Sequence, residues 1–154
     1  YYAHIPEREY SNNVWPKSLP YFKYKYMNLA YIMYEAGKDV MNLVGIESQN
    51  MTGLARMLYY APVAHKEDNT NWCGLHFDHG VFTALTSATF EKDGVLVKTP
   101  RKGGLYIRNT KIKIPKDVLI FQVGEAGELI TNGKITATEH HVKKTYGGYG
   151  RYAL

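Results

Sequence analysis

The stretch "GLHFDHGVFTALT", residues 74–86, decides how this chain is interpreted. His76 and Asp78 are two positions apart, and side chains two apart on a strand point to the same side of a sheet. An imidazole and a carboxylate at that spacing can reach one metal ion. An isolated histidine in a strand is more often structural, however. The motif alone therefore leaves two interpretations open, a metal half-site and a polar patch.

The sequence around this stretch predicts a mainly β fold. After Gly53 the hydrophobic period changes to two, and seven or eight short strands follow, with a loop over 65–71. The predicted strands are "LARMLYY" (halted by Pro62), "GLHFDH", "VFTALTSATF", "VLVKT", "GLYIRN", "VLIFQV", "ITATEHHVKK" and "RYAL". Turns are predicted at "EKDG", "PRKGG", "IPKD", "GEAG", "TNGK" and "YGGYG". This spacing indicates an all-β sandwich or barrel, flanked by one long helix.

The long helix is predicted over 19–43, where apolar residues recur every three or four positions, with Gly45 as a stop. The predicted apolar stripe consists of Phe22, Tyr26, Leu29, Met33, Ala36, Val40 and Leu43. We expect residues 1–18 to be an irregular lead-in, 19–52 a helical segment packing on the core, and 53–154 the β domain. The chain does not start with Met and stops on "RYAL", a mid-strand pattern, so we expect a piece of a longer protein.

Composition indicates one globular domain with one core, since 45% of the 154 residues are hydrophobic and 21% are charged. The net charge of +5 favours anionic partners such as small carboxylates. The basic residues are spread out, which argues against nucleic-acid binding. Cys73 is the single cysteine, so an internal disulfide is excluded, and we expect it to be a small buried side chain. With no long apolar run and no visible signal peptide, we expect a cytoplasmic protein without a membrane span.

A third metal ligand has to come from another part of the chain. The best candidates lie in "TATEHHV", residues 136–142, where His140 and His141 are adjacent. Two histidines and one carboxylate leave open positions on a metal, the arrangement of non-haem Fe(II) sites that activate oxygen. Zinc also accepts such ligands.

Residues 15–154 resemble the catalytic half of the plant- and fungal-type 2-oxoglutarate/Fe(II) dioxygenases, the isopenicillin N synthase-like enzymes. The resemblance consists of several motifs in order along the chain. These are the helix after "LPYF", "RMLYYAP", "GLHFDHGVFTALT", "GVLVKTPRKGGLYI", "IPKDVLIFQVGEAGELITNGKITATEHHV" and "RYAL". The resemblance implies a double-stranded β-helix, a jelly roll or cupin-like barrel, with 53–154 as the catalytic domain.

By this resemblance the metal ligands are His76, Asp78 and His140. The family motif Thr-x-His-x-Val fits residues 138–142 with His140 as the ligand, and strand alternation then points His141 to the opposite face. His79 is out of phase with the other ligands and is expected to be a loop-edge imidazole.

The resemblance also implies a subsite for the co-substrate. Arg151 would pair its planar guanidinium with the far carboxylate of 2-oxoglutarate, a bidentate geometry that lysine lacks, and Tyr60 would reach the same carboxylate. Two positions depart from the family pattern. Leu58 stands where relatives often have Asn, and Ala153 where they have Ser or Thr, so two hydrogen-bond donors to the co-substrate are missing.

The implied activity is that of an oxidoreductase that uses Fe(II), 2-oxoglutarate and O2. It would hydroxylate or otherwise oxidise a C–H bond of a small organic substrate, releasing succinate and CO2. One alternative is an Fe(II) oxidase of the same fold that does not use 2-oxoglutarate. Another is a catalytically degenerate jelly-roll binding module. We expect a small-molecule substrate, and no nucleic-acid, membrane or required protein partner.

Overall fold

A computed structural model describes residues 1–9, 11–63 and 71–154. The loop predicted over 65–71 lies outside the described residues as far as position 70. The chain divides into two compact units, Tyr1–Met57 and Leu58–Leu154.

The first unit contains a two-stranded sheet and the long helix. Strand β1 (Tyr2–Ile5) pairs antiparallel with β2 (Gly53–Arg56). Residues 1–18 were expected to be irregular throughout, and β1 corrects this expectation. Its strand partner lies about fifty positions further along the chain, and local periodicity contains no information on such a long-range pairing.

The helix α1 spans Phe22–Leu43 and confirms the predicted helix, with a start three residues later. Pro20 explains the shift, since the residue before a proline is driven out of helical geometry. The helix ends before Gly45, whose φ of +78° is the left-handed conformation that glycine adopts readily. The predicted apolar stripe is wrong in detail, because Leu29 and Leu43 are exposed. The buried residues are Tyr26, Met27, Ala30, Gly37 and Met41.

Within its described residues, the second unit contains ten strands and one short helix. They are β3 Leu58–Tyr60, β4 Asn71–His76, β5 Phe82–Leu85, β6 Thr89–Lys92, β7 Val95–Val97, β8 Gly104–Ile107, β9 Thr110–Lys111, β10 Ile120–Val123, α2 Glu125–Ile130, β11 His140–Lys143 and β12 Tyr149–Ala153. The prediction of a mainly β chain with one long helix is confirmed.

The strands of the second unit form antiparallel sheets. One has the order β4-β11-β8-β9, another β3-β12-β6-β7, and β10 pairs with β5. The two four-stranded sheets approach each other at Phe90 of β6, which is only 2% exposed. Its ring tip lies 3.8 Å from the position that a Cβ on Gly104 of β8 would occupy. The sheets therefore share buried apolar contact at this point.

Three predicted elements differ clearly from the structure. The stretch "VFTALTSATF" forms β5 and the first half of β6 instead of one strand, because the two halves pair with different partners, β10 and β12. The stretch "LARMLYY" forms β2 and β3 instead of one strand, because its halves pair with different partners, β1 and β12. The predicted turn "GEAG" is the entry to helix α2. Gly124 and Gly127 lower its helix propensity, which explains the wrong prediction. Glu125 and Glu128 favour a helix here, because acidic side chains in the first turn interact well with the helix dipole.

In the described part of the chain, neither helix has the length and apolar character that a bilayer crossing requires.

Candidate metal centre and anion subsite

Two adjacent strands bring the predicted histidines together. Strand β4 ends at His76 and β11 begins at His140, and the two residues are direct partners across the antiparallel ladder. Their ring centroids are 4.3 Å apart. Asp78 lies two residues beyond the end of β4. The strand alternation that predicts its direction from His76 therefore does not apply to it. It nevertheless faces both rings.

Three ligand atoms converge between these side chains. His76 Nε2 lies 3.6 Å from Asp78 Oδ1, and His140 Nε2 lies 3.8 Å from Asp78 Oδ2. Both distances are too long for hydrogen bonds. Two atoms that each lie about 2.0–2.2 Å from one ion can be at most about 4.4 Å apart, and each of these two pairs satisfies this limit through its own carboxylate oxygen. One ligand atom from each of the three residues lies within 4.8 Å of the other two, so the side chains form a candidate site for one divalent cation.

Backbone carbonyls orient both imidazoles in the same way. His76 Nδ1 lies 2.8 Å from the carbonyl oxygen of Gly74, and His140 Nδ1 lies 2.9 Å from that of Thr138. A carbonyl oxygen accepts, so each Nδ1 carries the proton and donates. Each Nε2 is then left with its lone pair directed at the aspartate, which is the state a metal ligand needs.

The short helix α2 fixes the segment that carries Asp78. The Glu125 N–H donates to the Asp78 carbonyl oxygen at 2.8 Å. A Cβ on Gly124 would lie 2.1 Å from the Gly80 carbonyl oxygen and 2.8 Å from that of Asp78. Only glycine permits this approach. Sequence reasoning missed this role, although two glycines three residues apart in "GEAG" are its visible signal.

The metal centre is more enclosed on one side than on the other. The side chain of His140 is 7% exposed, that of Asp78 is 26% exposed and that of His76 is 38% exposed. The Cys73 sulfur lies 3.8 Å from His76 Nδ1, and Cys73 is half-buried where a buried side chain was expected. A small molecule would therefore reach the centre from the His76 side.

The predicted co-substrate residues also meet. Arg151 of β12 and Tyr60 of β3 are direct cross-strand partners, and the guanidinium carbon lies 5.1 Å from the centre of the tyrosine ring. Arg151 is buried, and its Nε has no hydrogen-bond partner among the described residues. Burial lowers the pKa of Arg151, and the hydrogen-bonded Tyr60 hydroxyl opposes this shift.

No ion pair found between described residues includes Arg151. A buried cation is costly without a counter-charge. Its uncompensated charge and its unused donor make Arg151 a candidate anion subsite.

The two departures from the family pattern lie side by side. Leu58 and Ala153 are direct partners on β3 and β12. Strand alternation places them on the same face as Tyr60 and Arg151. The candidate anion subsite thus has one charged donor group beside an apolar pair.

The remaining candidates lie elsewhere. His141 is buried and stacks on the Tyr106 ring at 5.5 Å, and it is absent from the cluster of metal-ligating atoms. Burial lowers the pKa of His141, and the neighbouring Lys143 adds to this shift. The His79 side chain is 92% exposed and pairs with Glu125 on the surface.

Comparison with known proteins is consistent with this geometry. The model of the 2OG-Fe(II) oxygenase superfamily matches residues 52–154, well over half of the chain and a range that contains both candidate sites. The chain belongs to the 2OG-Fe(II) oxygenase superfamily. Enzymes of this superfamily are iron-dependent 2-oxoglutarate oxygenases, and the predicted family is confirmed.

Two relatives of this chain are considerably longer than the region that matches it. Scopoletin 8-hydroxylase of Arabidopsis thaliana is 27% identical over 147 residues, covering 85% of this chain and 37% of that enzyme. A crystal structure of a 2OG-Fe(II) oxygenase family protein from Caulobacter crescentus matches 99% of this chain and 54% of its own, with a TM-score of 0.62 and 20% identity. The chain spans about a third to a half of the length of these relatives.

Proposed function

We propose that this chain is the catalytic portion of a 2-oxoglutarate-dependent Fe(II) oxygenase that oxidises a C–H bond of a small organic molecule. The observation that carries the proposal is the convergence of His76 Nε2, His140 Nε2 and the Asp78 carboxylate. Each imidazole Nδ1 lies within hydrogen-bond distance of a backbone carbonyl oxygen, which favours the metal-ligating tautomer. The Fe(II) preference follows from the donor set, two imidazoles and one carboxylate with positions left open.

In this proposal the three side chains hold the iron, and the carboxylate supplies negative charge to the site. When bound, iron would supply the activation of O2 that accompanies conversion of 2-oxoglutarate to succinate and CO2. One oxygen atom enters the succinate and the other enters the substrate, so a C–H bond becomes C–OH and the atoms balance. The protein's own contribution is to hold its ligands deprotonated and correctly turned.

Arg151 would bind the far carboxylate of 2-oxoglutarate, since its buried guanidinium has no acidic partner among the described residues. The Tyr60 hydroxyl, bound to Arg151, would share that carboxylate. Leu58 and Ala153 offer no donors, and each missing hydrogen bond to a charged group weakens binding by about 1.5–3 kcal/mol. We therefore expect weaker 2-oxoglutarate binding than in a member with all four donors.

The same proposal includes the jelly-roll architecture. A jelly roll, or double-stranded β-helix, places a metal centre between two facing sheets, and the approach of Phe90 to Gly104 supports such an arrangement. A small-molecule substrate and a cytoplasmic location also stay predictions. The scopoletin hydroxylase, by its name, hydroxylates a small organic compound, which supports the proposed substrate class.

A second function is favoured by the Leu58–Ala153 pair. An Fe(II) oxidase that takes electrons from its own substrate would need the metal ligands and would not need the missing donors. Arg151 would then bind an acidic group of the substrate.

A staged titration separates these functions. Under anaerobic conditions Fe(II) is added first, then 2-oxoglutarate, while the visible spectrum is followed; O2 is then admitted and succinate is measured. We expect stoichiometric iron binding, a weak charge-transfer band on adding 2-oxoglutarate, and succinate after oxygen. Bound iron without the band and without succinate would favour the second function. Failure to bind iron would refute both and leave a degenerate binding module.

A further inference from the structure

Gln122 lies against one of the two histidines, and among the described residues the other histidine has no amide side chain as a partner. It is on β10, is 3% exposed, and places its amide nitrogen Nε2 3.1 Å from His140 Nδ1. The other amide atom, Oε1, is buried with no hydrogen-bond partner among the described residues. An unpaired buried acceptor is destabilising, so this arrangement requires an explanation.

When the Gln122 amide nitrogen faces His140 Nδ1, the hydrogen bonds around His140 are inconsistent. The Thr138 carbonyl oxygen, 2.9 Å from Nδ1, requires an N–H on that ring atom. The Gln122 amide NH2 would then face another donor. If Nδ1 were instead unprotonated, its lone pair would face a carbonyl oxygen, and Nε2 would carry the proton. That tautomer cannot bind a metal through Nε2.

A half-turn of the amide removes both conflicts. The oxygen and nitrogen of a glutamine side chain occupy nearly equivalent positions, so the turn needs no change in packing. Turned, Oε1 accepts from the His140 Nδ1–H together with the Thr138 carbonyl. The oxygen gains its partner and the ring keeps one tautomer, while the amide NH2 takes the buried position that has no partner among the described residues.

We propose that Gln122 is a positioning residue, which accepts the His140 Nδ1 proton and so holds the Nε2 lone pair toward the metal position. The inference rests on the proposed metal centre at His76, Asp78 and His140. It assigns no contact between Gln122 and metal or substrate. Outer partners of this kind orient a ligating imidazole and increase its basicity.

The matched comparison is His76, whose Nδ1 lies near the Gly74 carbonyl oxygen and the weakly polar Cys73 sulfur. Loss of the Gln122 acceptor should change His140 and leave His76 unchanged. The same spectrum therefore contains its own control.

The first test is nitrogen NMR of the full chain without metal, at alkaline pH. Long-range 1H–15N correlations report which ring nitrogen carries the proton, and a His140→Gln variant assigns the signals. In the wild type we expect an Nδ1–H tautomer at both histidines. In Gln122→Leu, which keeps the size and removes one acceptor, His140 keeps only the Thr138 carbonyl, as His76 keeps only that of Gly74, so its Nδ1 proton should move upfield toward the position of the His76 signal. An unchanged His140 pattern in that variant would overturn the proposal.

The second test is Co(II) titration of the same proteins, with Co(II) as a stable stand-in for Fe(II). Loss of an outer partner typically lowers metal affinity about 10–100-fold, and we expect this for Gln122→Leu. Gln122→Glu keeps an acceptor and should keep both the Nδ1–H tautomer and near wild-type affinity. If Gln122→Leu does not fold, Gln122→Glu decides alone. Its stronger acceptor should move the His140 Nδ1 proton downfield, and no movement contradicts the proposal.

The two proposals fail in different ways. A wild-type chain that binds no Co(II) would refute the metal centre, whatever the tautomers are. A wild-type chain that binds Co(II), with the affinity and the His140 Nδ1 proton signal unaffected in Gln122→Leu, would refute the role of Gln122 and leave the metal centre intact.

Discussion

The two ends of the candidate site are built differently. At the metal end, His76, Asp78 and His140 are each fixed through backbone contacts, from Gly74, Glu125 and Thr138. At the anion end, the buried Arg151 relies on one neighbouring hydroxyl, and Leu58 and Ala153 replace further donors. A metal ion needs its ligands simultaneously, so loss of one disables the site. An anion is held by several separate hydrogen bonds, so loss of one weakens binding in proportion.

The largest effect should come from removing a metal ligand. His76→Ala, Asp78→Ala and His140→Ala should each abolish stoichiometric Fe(II) binding, a loss above the roughly 100-fold seen for outer partners. Calorimetry and bound-iron analysis measure this. His79→Ala, in the same stretch but exposed, is the control and should bind iron normally. Wild-type affinity in His140→Ala would refute the triad.

Gly124→Ala should be next in size, because the added methyl collides with the carbonyl oxygens of Gly80 and Asp78. Overpacking of this kind costs about 1–3 kcal/mol of folding free energy. The segment carrying Asp78 must shift, so iron affinity should fall as well. Gly74→Ala is the control, since a Cβ there meets nothing within 4 Å. Thermal unfolding and iron titration of both variants test this, and equal behaviour would contradict it.

Removing the charge at the anion end should leave the metal end intact. Loss of a hydrogen bond to a charged group costs about 1.5–3 kcal/mol, so Arg151→Met should weaken 2-oxoglutarate binding about 10–100-fold. Iron affinity should be unchanged. Arg151→Lys should recover only part of the loss, because lysine lacks the bidentate geometry. The dissociation constant for 2-oxoglutarate on the iron-loaded chain is the measurement. A parallel fall in iron affinity would show that the two ends are not independent.

Restoring the missing donors should sharpen the comparison from the other direction. Leu58→Asn and Ala153→Ser place polar groups on the face that carries Arg151 and Tyr60. A hydrogen bond to a charged group contributes about 1.5–3 kcal/mol, and at the lower end of that range each variant should bind 2-oxoglutarate about 10-fold more tightly. The same titration measures this. If neither variant changes the affinity, the donors do not face the co-substrate, and the second proposed function gains support.

The smallest effect concerns His141, which neighbours the proposed ligand His140 and lies outside the cluster of metal-ligating atoms. Burial lowers the pKa of His141 below its ordinary 6.5. The unfolded chain therefore binds this proton more readily than the folded chain. The contribution of neutral His141 to stability is present above pH 6.5 and is lost as pH falls toward the lowered value.

His141→Phe keeps a flat ring against Tyr106 and removes the titration. The melting temperature of the metal-free variant should fall less than that of the wild type between about pH 7.5 and about pH 5.5. Iron affinity at neutral pH should be unchanged. An identical fall in both proteins would show that this histidine does not contribute to the pH dependence.

By itself, the sequence was sufficient to predict the mainly β class, the long helix and the residue types of the site. Period two and period 3.6 are local properties, and each states which residues share a face. The order of "HFD", "TEHHV" and "RYAL" matches a family pattern. This pattern predicts the co-substrate roles of Arg151 and Tyr60 without any information on strand pairing.

Only the tertiary structure decided which distant groups support those residues. Strand β1 finds its partner about fifty residues away, helix α2 fixes Asp78 through Gly124, and Gln122 meets His140 from another sheet. Leu58 and Ala153 become neighbours only through the register of β3 with β12. Such contacts depend on ladder register and on the packing of one sheet against another. Neither leaves a periodic signal in the chain, whereas the direction of a side chain on its own strand does.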